Sequence, residues 1–273
     1  EVGRYAIKIL MNSFFGVMAS PQCRFYSFDM ANAITSFAQH YIKETAKIIE
    51  KGGYEVIYSD TDSVFVIAGK NPEKLGKKLE KQINETFDKE IKKKYDMPSY
   101  LELEFEKTYT KFLMPKLRGA EKGAKKRYAG LVNGKLEITG LEAVRGDWTE
   151  LAQTFQKELL MRVFKEEKVA PFVIKFIAEL KKGKKDDLLV YRKAIRKPLE
   201  EYTKITPSHI KAARKLKDFK GKSIEYVYTK DGVEPLQLAK GNYDYDHYIK
   251  KQIKPIAEAV LVFFDLKFDE LVS

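Results

Sequence analysis

Two aspartates stand two positions apart in residues 58–63, which read Tyr-Ser-Asp-Thr-Asp-Ser. A strand interior disfavours aspartate, and two carboxylates that are held close together repel each other. A divalent cation between the carboxylates and a partner anion removes that repulsion, and Mg²⁺ takes carboxylate oxygens while keeping water and substrate phosphates as its other ligands. We therefore interpret Asp60 and Asp62 as candidate catalytic and metal-binding residues. An isolated pair of this kind is more often part of an ordinary turn.

The residues around the pair predict the element that positions it. Residues 54–59 and 63–67 are rich in β-branched and aromatic side chains and flank a short polar stretch, so we predict a β-hairpin with the aspartates at its tip. Before the hairpin, apolar residues recur at three- and four-residue steps from Ala31 to Ile49 and predict an amphipathic helix.

The N-terminal segment carries a second group of residues at helical spacing. If residues 4–16 form a helix, four of its side chains share one face, and Gly16 is placed to end the helix. The four are Arg4, Lys8, Asn12 and Phe15.

Further along, the pattern alternates between helix and strand. A helix is predicted after Asn71-Pro72, with a buried stripe of Leu75, Leu79, Ile83, Phe87 and Ile91. Apolar residues and glutamates alternate over 101–106 and predict a half-buried strand, from which Glu104 could approach the metal site or simply face solvent. A Gly- and Lys-rich loop, 118–127, precedes two β-rich runs joined by Asn133-Gly134, the strongest short hairpin signal.

The second half of the chain has a different residue composition and pattern. From about residue 147 the sequence is basic and mostly helical, with helical patterns at 149–182, 186–196 and 207–217. The predicted fold class is α+β, an antiparallel sheet with packed helices followed by a mostly α-helical part. The length of 273 residues agrees with about two structural units.

Composition narrows the class of partner. The net charge of +12 favours a polyanion, although acidic membranes attract the same charge. No apolar run approaches the roughly 20 residues needed to span a bilayer. A single cysteine, Cys23, cannot form an internal disulfide or a cysteine-based zinc site, so we expect a reducing, cytoplasmic setting.

Three motifs in one order resemble the family B DNA polymerases. Residues 58–63 resemble the family's Tyr-x-Asp-Thr-Asp-Ser signature, and residues 8–16 resemble the Lys-x-x-x-Asn-Ser-x-Tyr-Gly motif of the fingers. Residues 125–128 match the Lys-Lys-x-Tyr element before the thumb. Similarity to the bacterial DNA polymerase II subgroup extends over nearly the whole chain, through segments 112–115, 118–120, 140–142, 144–148, 190–193, 198–202 and 245–248.

The resemblance implies domains and roles. Residues 1–16 would end a fingers helix, 17–147 would form the C-terminal part of the palm, and 148–273 the thumb. The aspartates would bind two Mg²⁺ ions. Five residues would bind the incoming dNTP or its pocket, namely Lys8, Asn12, Phe15, Tyr58 and Thr61. Five would contact primer-template DNA, namely Lys125, Lys126, Arg127, Tyr128 and Arg145.

Two departures from the family pattern qualify that expectation. Phe15 stands where the family usually has tyrosine, which removes one hydroxyl beside the nascent base pair. The family's other catalytic aspartate lies in a motif that this sequence lacks. We therefore expect a large partner subunit that carries the exonuclease, the remaining palm and the remaining fingers, and through which any sliding-clamp contact would be made. Such a polymerase would be associated with the nucleoid. The alternative is a non-catalytic DNA-binding accessory or scaffold subunit.

Overall fold

The computed structural model describes residues 2–115, 124–203 and 206–272, which divide into two compact units, Glu1–Thr108 and Tyr109–Ser273. The motif at residues 118–120 lies outside the described residues, and the change of composition near residue 147 falls within the second unit. Within the described ranges, no helix combines the length and the apolar character that crossing a bilayer requires.

The first unit contains three helices and one hairpin among its described residues. They are α1 (Val2–Ala19), α2 (Phe28–Lys51), β1 (Val56–Asp60), β2 (Ser63–Val66) and α3 (Pro72–Tyr95). The predicted helices and hairpin are thereby confirmed. The predicted end of α1 at Gly16 is wrong, because one internal glycine costs a helix only about 1 kcal/mol relative to alanine. The helix stops instead just before Ser20-Pro21, where proline disfavours a helical conformation of the preceding residue.

The core of the first unit lies along the apolar stripe of α3. The buried residues are Ile49 of α2 and Leu75, Leu79, Ile83 and Phe87 of α3. Ile91, predicted in the same stripe, is only half-buried. Partly buried hairpin residues Val56, Val64 and Val66 pack against this cluster, so α2 and α3 form the support on which the hairpin lies.

Residues 101–106 form no strand, so that prediction is wrong. The backbone N–H and C=O of Leu103 bond to the side-chain amide of Asn84, each at 2.9 Å, and the N–H of Phe105 donates to Glu80 Oε2 at 2.9 Å. The backbone therefore finds its partners on α3 rather than on a neighbouring strand. The predicted alternation of burial holds for Leu103 and Phe105, which are half-buried while the glutamates are exposed, but Leu101 is 40% exposed.

Among its described residues, the second unit combines helices with two antiparallel three-stranded sheets, β3-β4-β5 and β6-β7-β8. Its strands are β3 (Lys111–Leu113), β4 (Tyr128–Val132), β5 (Lys135–Thr139), β6 (Tyr191–Ala194), β7 (Ser223–Thr229) and β8 (Gly232–Pro235). Its α-helices are α4 (Glu150–Phe164), α5 (Val169–Lys181), α6 (Ser208–Ala213), α7 (Tyr245–Tyr248), α8 (Lys254–Leu261) and α9 (Phe268–Val272). The α+β class is thus confirmed.

The local predictions in this unit have mixed outcomes. The hairpin at Asn133-Gly134 is confirmed, with φ of 51° and 75° at the two turn residues. Residues 149–182 form two helices, separated near Glu166, which has a φ of 59°. The predicted helix over 186–196 is wrong. Most of its second half is strand β6, because Tyr191 pairs with Tyr226 of β7 and their rings stack at 5.2 Å.

A π-helical turn, Ile249–Ile253, joins α7 to α8 and serves the fold directly. It places Gln252, which is buried, against the start of α4. There Gln252 Oε1 accepts hydrogen bonds from the backbone N–H of Thr149 at 3.2 Å and from its hydroxyl at 3.0 Å. Thr149 is also the N-cap of α4. The irregular turn therefore ties two helices together through one buried amide.

Gly140 allows two backbone segments to approach closely. Its φ is +62°, and a Cβ at this position would lie 1.9 Å from the carbonyl oxygen of Lys126. Lys126 itself has a φ of 57°. A side chain at residue 140 would therefore displace the backbone that carries the Lys125–Tyr128 element.

We expect Asn84→Ala to lower the free energy of unfolding by about 1–3 kcal/mol, because two backbone groups of Leu103 lose their partner. Hydrogen exchange at the Leu103 amide should accelerate at the same time. Urea unfolding and exchange measurements test both effects. Gln82→Ala, an exposed change on the same helix, is the control, and equal unfolding energies for the two variants would contradict this assignment.

We expect Gly140→Ala to destabilise the second unit by about 1–3 kcal/mol more than Gly134→Ala, because only the former adds overpacking to an unfavourable φ. Gly134 also has positive φ, but a Cβ added there would meet nothing within 4 Å. Thermal unfolding of the two variants measures the difference. Identical melting temperatures would show that the fold does not depend on the close approach between Gly140 and the Lys126 backbone.

Candidate functional site

The register of the β1–β2 hairpin determines which residues occupy its tip. Val56 pairs with Val66, but the next pair is Tyr58 with Phe65, so Ile57 is an extra residue in β1. Without that bulge, Asp60 would lie opposite Asp62 and Thr61 alone would have to close the turn. The one-residue shift pairs Asp60 with Ser63 instead and leaves Thr61 and Asp62 to form a two-residue turn.

The turn at the tip is tight and conformationally costly. Thr61 has a φ of 57°, which is unusual for a β-branched residue, and the N–H of Asp62 donates to the carbonyl of Asp60 at 2.7 Å. A positive φ inside such an i→i+2 hydrogen bond is the rare, strained form of the γ-turn. Backbone strain of this kind costs about 1–3 kcal/mol and concentrates at functional sites.

The two carboxylates have different surroundings. Asp60 is half-buried and accepts a long hydrogen bond of 3.4 Å from the Thr61 hydroxyl, whereas Asp62 is exposed. No described residue donates a hydrogen bond to the Asp62 side chain. Both offer hard oxygen ligands, as a hard divalent cation requires, and they leave coordination positions for water and phosphate. The residues present therefore fit such an ion.

Among the described residues, no third carboxylate joins this pair. Over residues 2–115, 124–203 and 206–272, no group of three or more Asp, Glu, His or Cys side chains is arranged to hold a metal ion. Glu104, for which the sequence left two alternatives, is exposed on the segment 101–106. Tyr58 packs across the hairpin on Phe65, with ring centroids 5.4 Å apart. Its ring therefore braces the strand that ends at Asp60.

The predicted nucleotide-binding residues lie on α1. Lys8 and Asn12 are exposed, and Phe15 has 40% of its surface accessible. The ammonium of Lys8 forms no ion pair with any described residue, which leaves its charge available to an anion. The helical spacing of these three side chains is as the sequence predicts, because α1 runs without interruption from residue 2 to residue 19.

An apolar surface surrounds these residues and has no cover in the part of the chain that the structure describes. None of the residues of α1 is buried, although the helix is rich in large hydrophobic side chains. Tyr5 and Met11 on α1 are 67% and 66% exposed, and Phe28 at the start of α2 is 62% exposed. Monomeric proteins rarely leave a contiguous surface of this kind open. We call α1 and the first half of α2 the open apolar face.

The basic element 125–128 lies in the second unit and begins strand β4. Lys125 and Lys126 are exposed, whereas the guanidinium of Arg127 forms an ion pair with the buried carboxylate of Glu142. Glu142 Oε2 also accepts a hydrogen bond from Gln156 Nε2 at 2.8 Å, and Gln156 Oε1 accepts one from the N–H of Ala143 at 2.6 Å. This network anchors the element that presents the two lysines.

The remaining predicted DNA contacts have structural partners of their own. Arg145 forms a bidentate pair with Asp147, at 3.0 and 2.8 Å, and this hydrogen bonding lowers the pKa of the Asp147 carboxyl. The ring of Tyr128 lies 5.4 Å from that of Phe112. Sequence reasoning missed the anchoring roles of Glu142 and Gln156. The Gly140-Leu-Glu segment was the available signal, since it contains both Gly140, which approaches the Lys126 backbone closely, and the buried carboxylate of Glu142.

Comparisons with known proteins agree with the motifs. The family profile described as DNA polymerase family B matches residues 2–264. The chain is 40% identical to DNA polymerase II of Escherichia coli over 98% of its own length and 37% of that protein's length. It is 30% identical to the DNA polymerase of Archaeoglobus fulgidus, over 96% of the chain and 35% of that protein.

A solved structure supports the same conclusion. The structure of the family B DNA polymerase from the hyperthermophilic archaeon Pyrobaculum calidifontis superposes with a TM-score of 0.66 and 27% identity. It covers 96% of this chain, which in turn covers 34% of that one. The chain thus spans a little over a third of the length of each of these three proteins. By its motifs and the profile match over residues 2–264, the chain belongs to DNA polymerase family B.

Proposed function

We propose that this chain supplies one side of the active site of a DNA-directed DNA polymerase, together with part of the palm, the end of a fingers helix and the DNA-gripping thumb. The observation that carries the proposal is the pair of aspartates at a strained hairpin tip in a chain of this family. A hairpin gains no stability from two like charges at its tip, whereas nucleotidyl transfer needs such ligands.

Asp62, the more exposed carboxylate, would bind both catalytic Mg²⁺ ions, and Asp60 would act as the nearby, less direct ligand. When bound, such ions would supply positive charge to the oxygens on which charge develops in phosphoryl transfer. The chain's own contribution is to hold the two carboxylates in place. The bulge at Ile57 and the turn at Thr61 fix where the carboxylates lie, so that little reorganisation accompanies the reaction.

The other residues of the proposal bind substrates. Lys8 is a compact cation suited to the triphosphate of the incoming dNTP, and Asn12 lies one turn further along the same face. Phe15 would pack on the nascent base pair, while Thr61 and Tyr58 would border the nucleotide pocket. Lys125 and Lys126 would contact the primer-template, with Lys126 reaching the minor groove, where readout is nearly independent of sequence. Arg127 and Tyr128 would support them, and Arg145 would bind DNA only by leaving Asp147.

The proposal includes a partner that completes the site. Two carboxylates are too few for two-metal chemistry, and the open apolar face has no cover among the described residues. This chain spans only 37% of the length of DNA polymerase II of Escherichia coli, which leaves enough polypeptide for both tasks. We propose that polypeptide with the exonuclease, the remaining palm and the remaining fingers covers α1 and supplies the other aspartate. A non-catalytic DNA-binding subunit is the competing function.

Primer extension by the chain assembled with that remaining polypeptide tests the assignment. Asp62→Ala should lower the extension rate by about 10³-fold or more, since metal-held charge stabilisation is worth several kcal/mol. Glu55→Ala removes an exposed carboxylate just before β1 and should leave the rate unchanged. Full extension by the Asp62→Ala assembly would favour the accessory or scaffold function, as would DNA binding that responds to neither Mg²⁺ nor this substitution.

Phe15→Tyr should reduce misinsertion by the assembled polymerase by about fivefold, because one added hydrogen bond is worth about 1 kcal/mol at the nascent base pair. Single-nucleotide insertion with matched and mismatched dNTPs measures this ratio. Phe14→Tyr adds the same hydroxyl to the adjacent residue of α1 and should leave the ratio unchanged. Equal fidelity of wild type and Phe15→Tyr would exclude a role for the missing hydroxyl.

A further inference from the structure

The buried polar side chains of the second unit gather in one place. Among the residues that the structure describes, six polar or charged side chains are buried, and four of them lie around the start of α4. The four are Glu142, Thr149, Gln156 and Gln252. Apolar side chains of similar volume would stabilise a core about as well as buried polar groups do. The concentration of polar groups at this point therefore indicates a role besides stability.

Three of the side chains connect the basic element 125–128 to α4. Arg127 pairs with one carboxylate oxygen of Glu142, and the other oxygen accepts a hydrogen bond from Gln156 Nε2 at 2.8 Å. Gln156 Oε1 accepts from the N–H of Ala143 at 2.6 Å, which fixes the orientation of the amide. The buried Nε of Arg127 has no partner among the described residues, so this guanidinium depends on Glu142. We call Arg127, Glu142 and Gln156 the polar link.

Apolar packing joins the same two parts of the second unit. Ala129 of β4 and Leu141, which follows β5, belong to the buried cluster that contains the inner faces of α4 and α5. Side chains from all three strands of the β3-β4-β5 sheet pack against that cluster. Lys111 of β3 also forms an ion pair with Glu166, which lies between α4 and α5. The sheet that the basic element begins is therefore held directly against the helices.

We propose that Glu142 and Gln156 are positioning residues, which hold the basic element against α4 so that Lys125 and Lys126 keep one position relative to the helices of the second unit. The change of sequence pattern near residue 147 would separate the basic element from α4, whereas the polar link joins them into one piece. A fully satisfied buried network specifies a single arrangement of the groups that it connects. The consequence for catalysis rests on the proposed function, in which the two lysines meet the primer-template.

The polar link allows a test in which the acid and the amide exchange places. Glu142→Gln alone makes one hydrogen-bond donor face another, and Gln156→Glu alone sets two carboxylates against each other. In the double variant, residue 142 again accepts from Arg127 and donates to residue 156, whose other oxygen still accepts from the N–H of Ala143. The double variant therefore restores every hydrogen bond of the polar link and the net charge of the parent chain.

Nitroxide labels at Lys125 and at Lys181, the exposed last residue of α5, report the position of the basic element by double electron–electron resonance. The full chain carries Cys23→Ser, so that only the two introduced cysteines react. We expect one narrow distance distribution for the parent and the double variant, and a broader one for each single variant. Circular dichroism verifies folding, and a single variant that fails to fold requires the double variant to recover both the fold and the narrow distribution. Narrow distributions in the single variants, or no recovery in the double variant, would overturn the proposal.

Primer extension by the assembled polymerase separates the polar link from the proposed function. Each single variant should raise the KM for primer-template about fivefold to tenfold, the effect of about one lost hydrogen bond, while kcat changes little. The double variant should restore the KM.

Ile256→Val, a buried change on α8, is the control, since it should lower the melting temperature without changing the KM. A KM that the single variants leave unchanged, or that Ile256→Val raises equally, would overturn the positioning role while extension still depends on Asp62. Extension that persists in the Asp62→Ala assembly would instead overturn the proposed function, and the label distances would still decide whether the polar link holds the basic element.

Discussion

The function proposed for this chain depends on one constraint, the placement of Asp60 and Asp62. Two like charges are held at the tip of a two-residue turn that requires a bulge at Ile57 and a positive φ at Thr61. Neither feature helps a hairpin to fold. Both become useful when the carboxylates must meet a cation and a triphosphate at a fixed point. The stripe of α3 and its contacts with α2 then serve to support this hairpin.

A second feature is the large apolar surface that the first unit exposes among its described residues. The open apolar face lies on the same helix as Lys8, Asn12 and Phe15, so the exposed apolar surface adjoins the predicted nucleotide-binding residues. In the proposed function, the same polypeptide would cover α1 and supply the remaining metal ligand. The second unit has a different character, with a buried core around α4, α5 and α8 and a cluster of cations along a cavity at the end of the β6–β7 pair.

The local sequence pattern predicted many of the helices, strands and turns. The elements that it missed depend on pairing between residues far apart in the sequence. The hairpin at residues 56–66, the Asn133-Gly134 turn and the stripe of α3 follow from periodicity and turn chemistry within a few residues. The sheet β6-β7-β8 does not, because β6 is paired with a strand about 30 residues away and its own pattern resembles a helix. The segment 101–106 resembles a strand but bonds to Asn84 and Glu80. At the site, residue types identified Asp60 and Asp62, whereas the pairing of Arg127 with Glu142 depends on tertiary packing.

In the proposed function, the hairpin tip is one side of a shared metal site. Binding of Mn²⁺, a paramagnetic substitute for Mg²⁺, can be followed by electron paramagnetic resonance for the chain alone and for its assembly with the remaining polymerase, primer-template and dNTP. We expect weak binding to the chain alone, tight binding of two ions to the assembly, and loss of that tight binding in the Asp62→Asn assembly. Tight binding of two ions that persists unchanged in the Asp62→Asn assembly would contradict the proposed function.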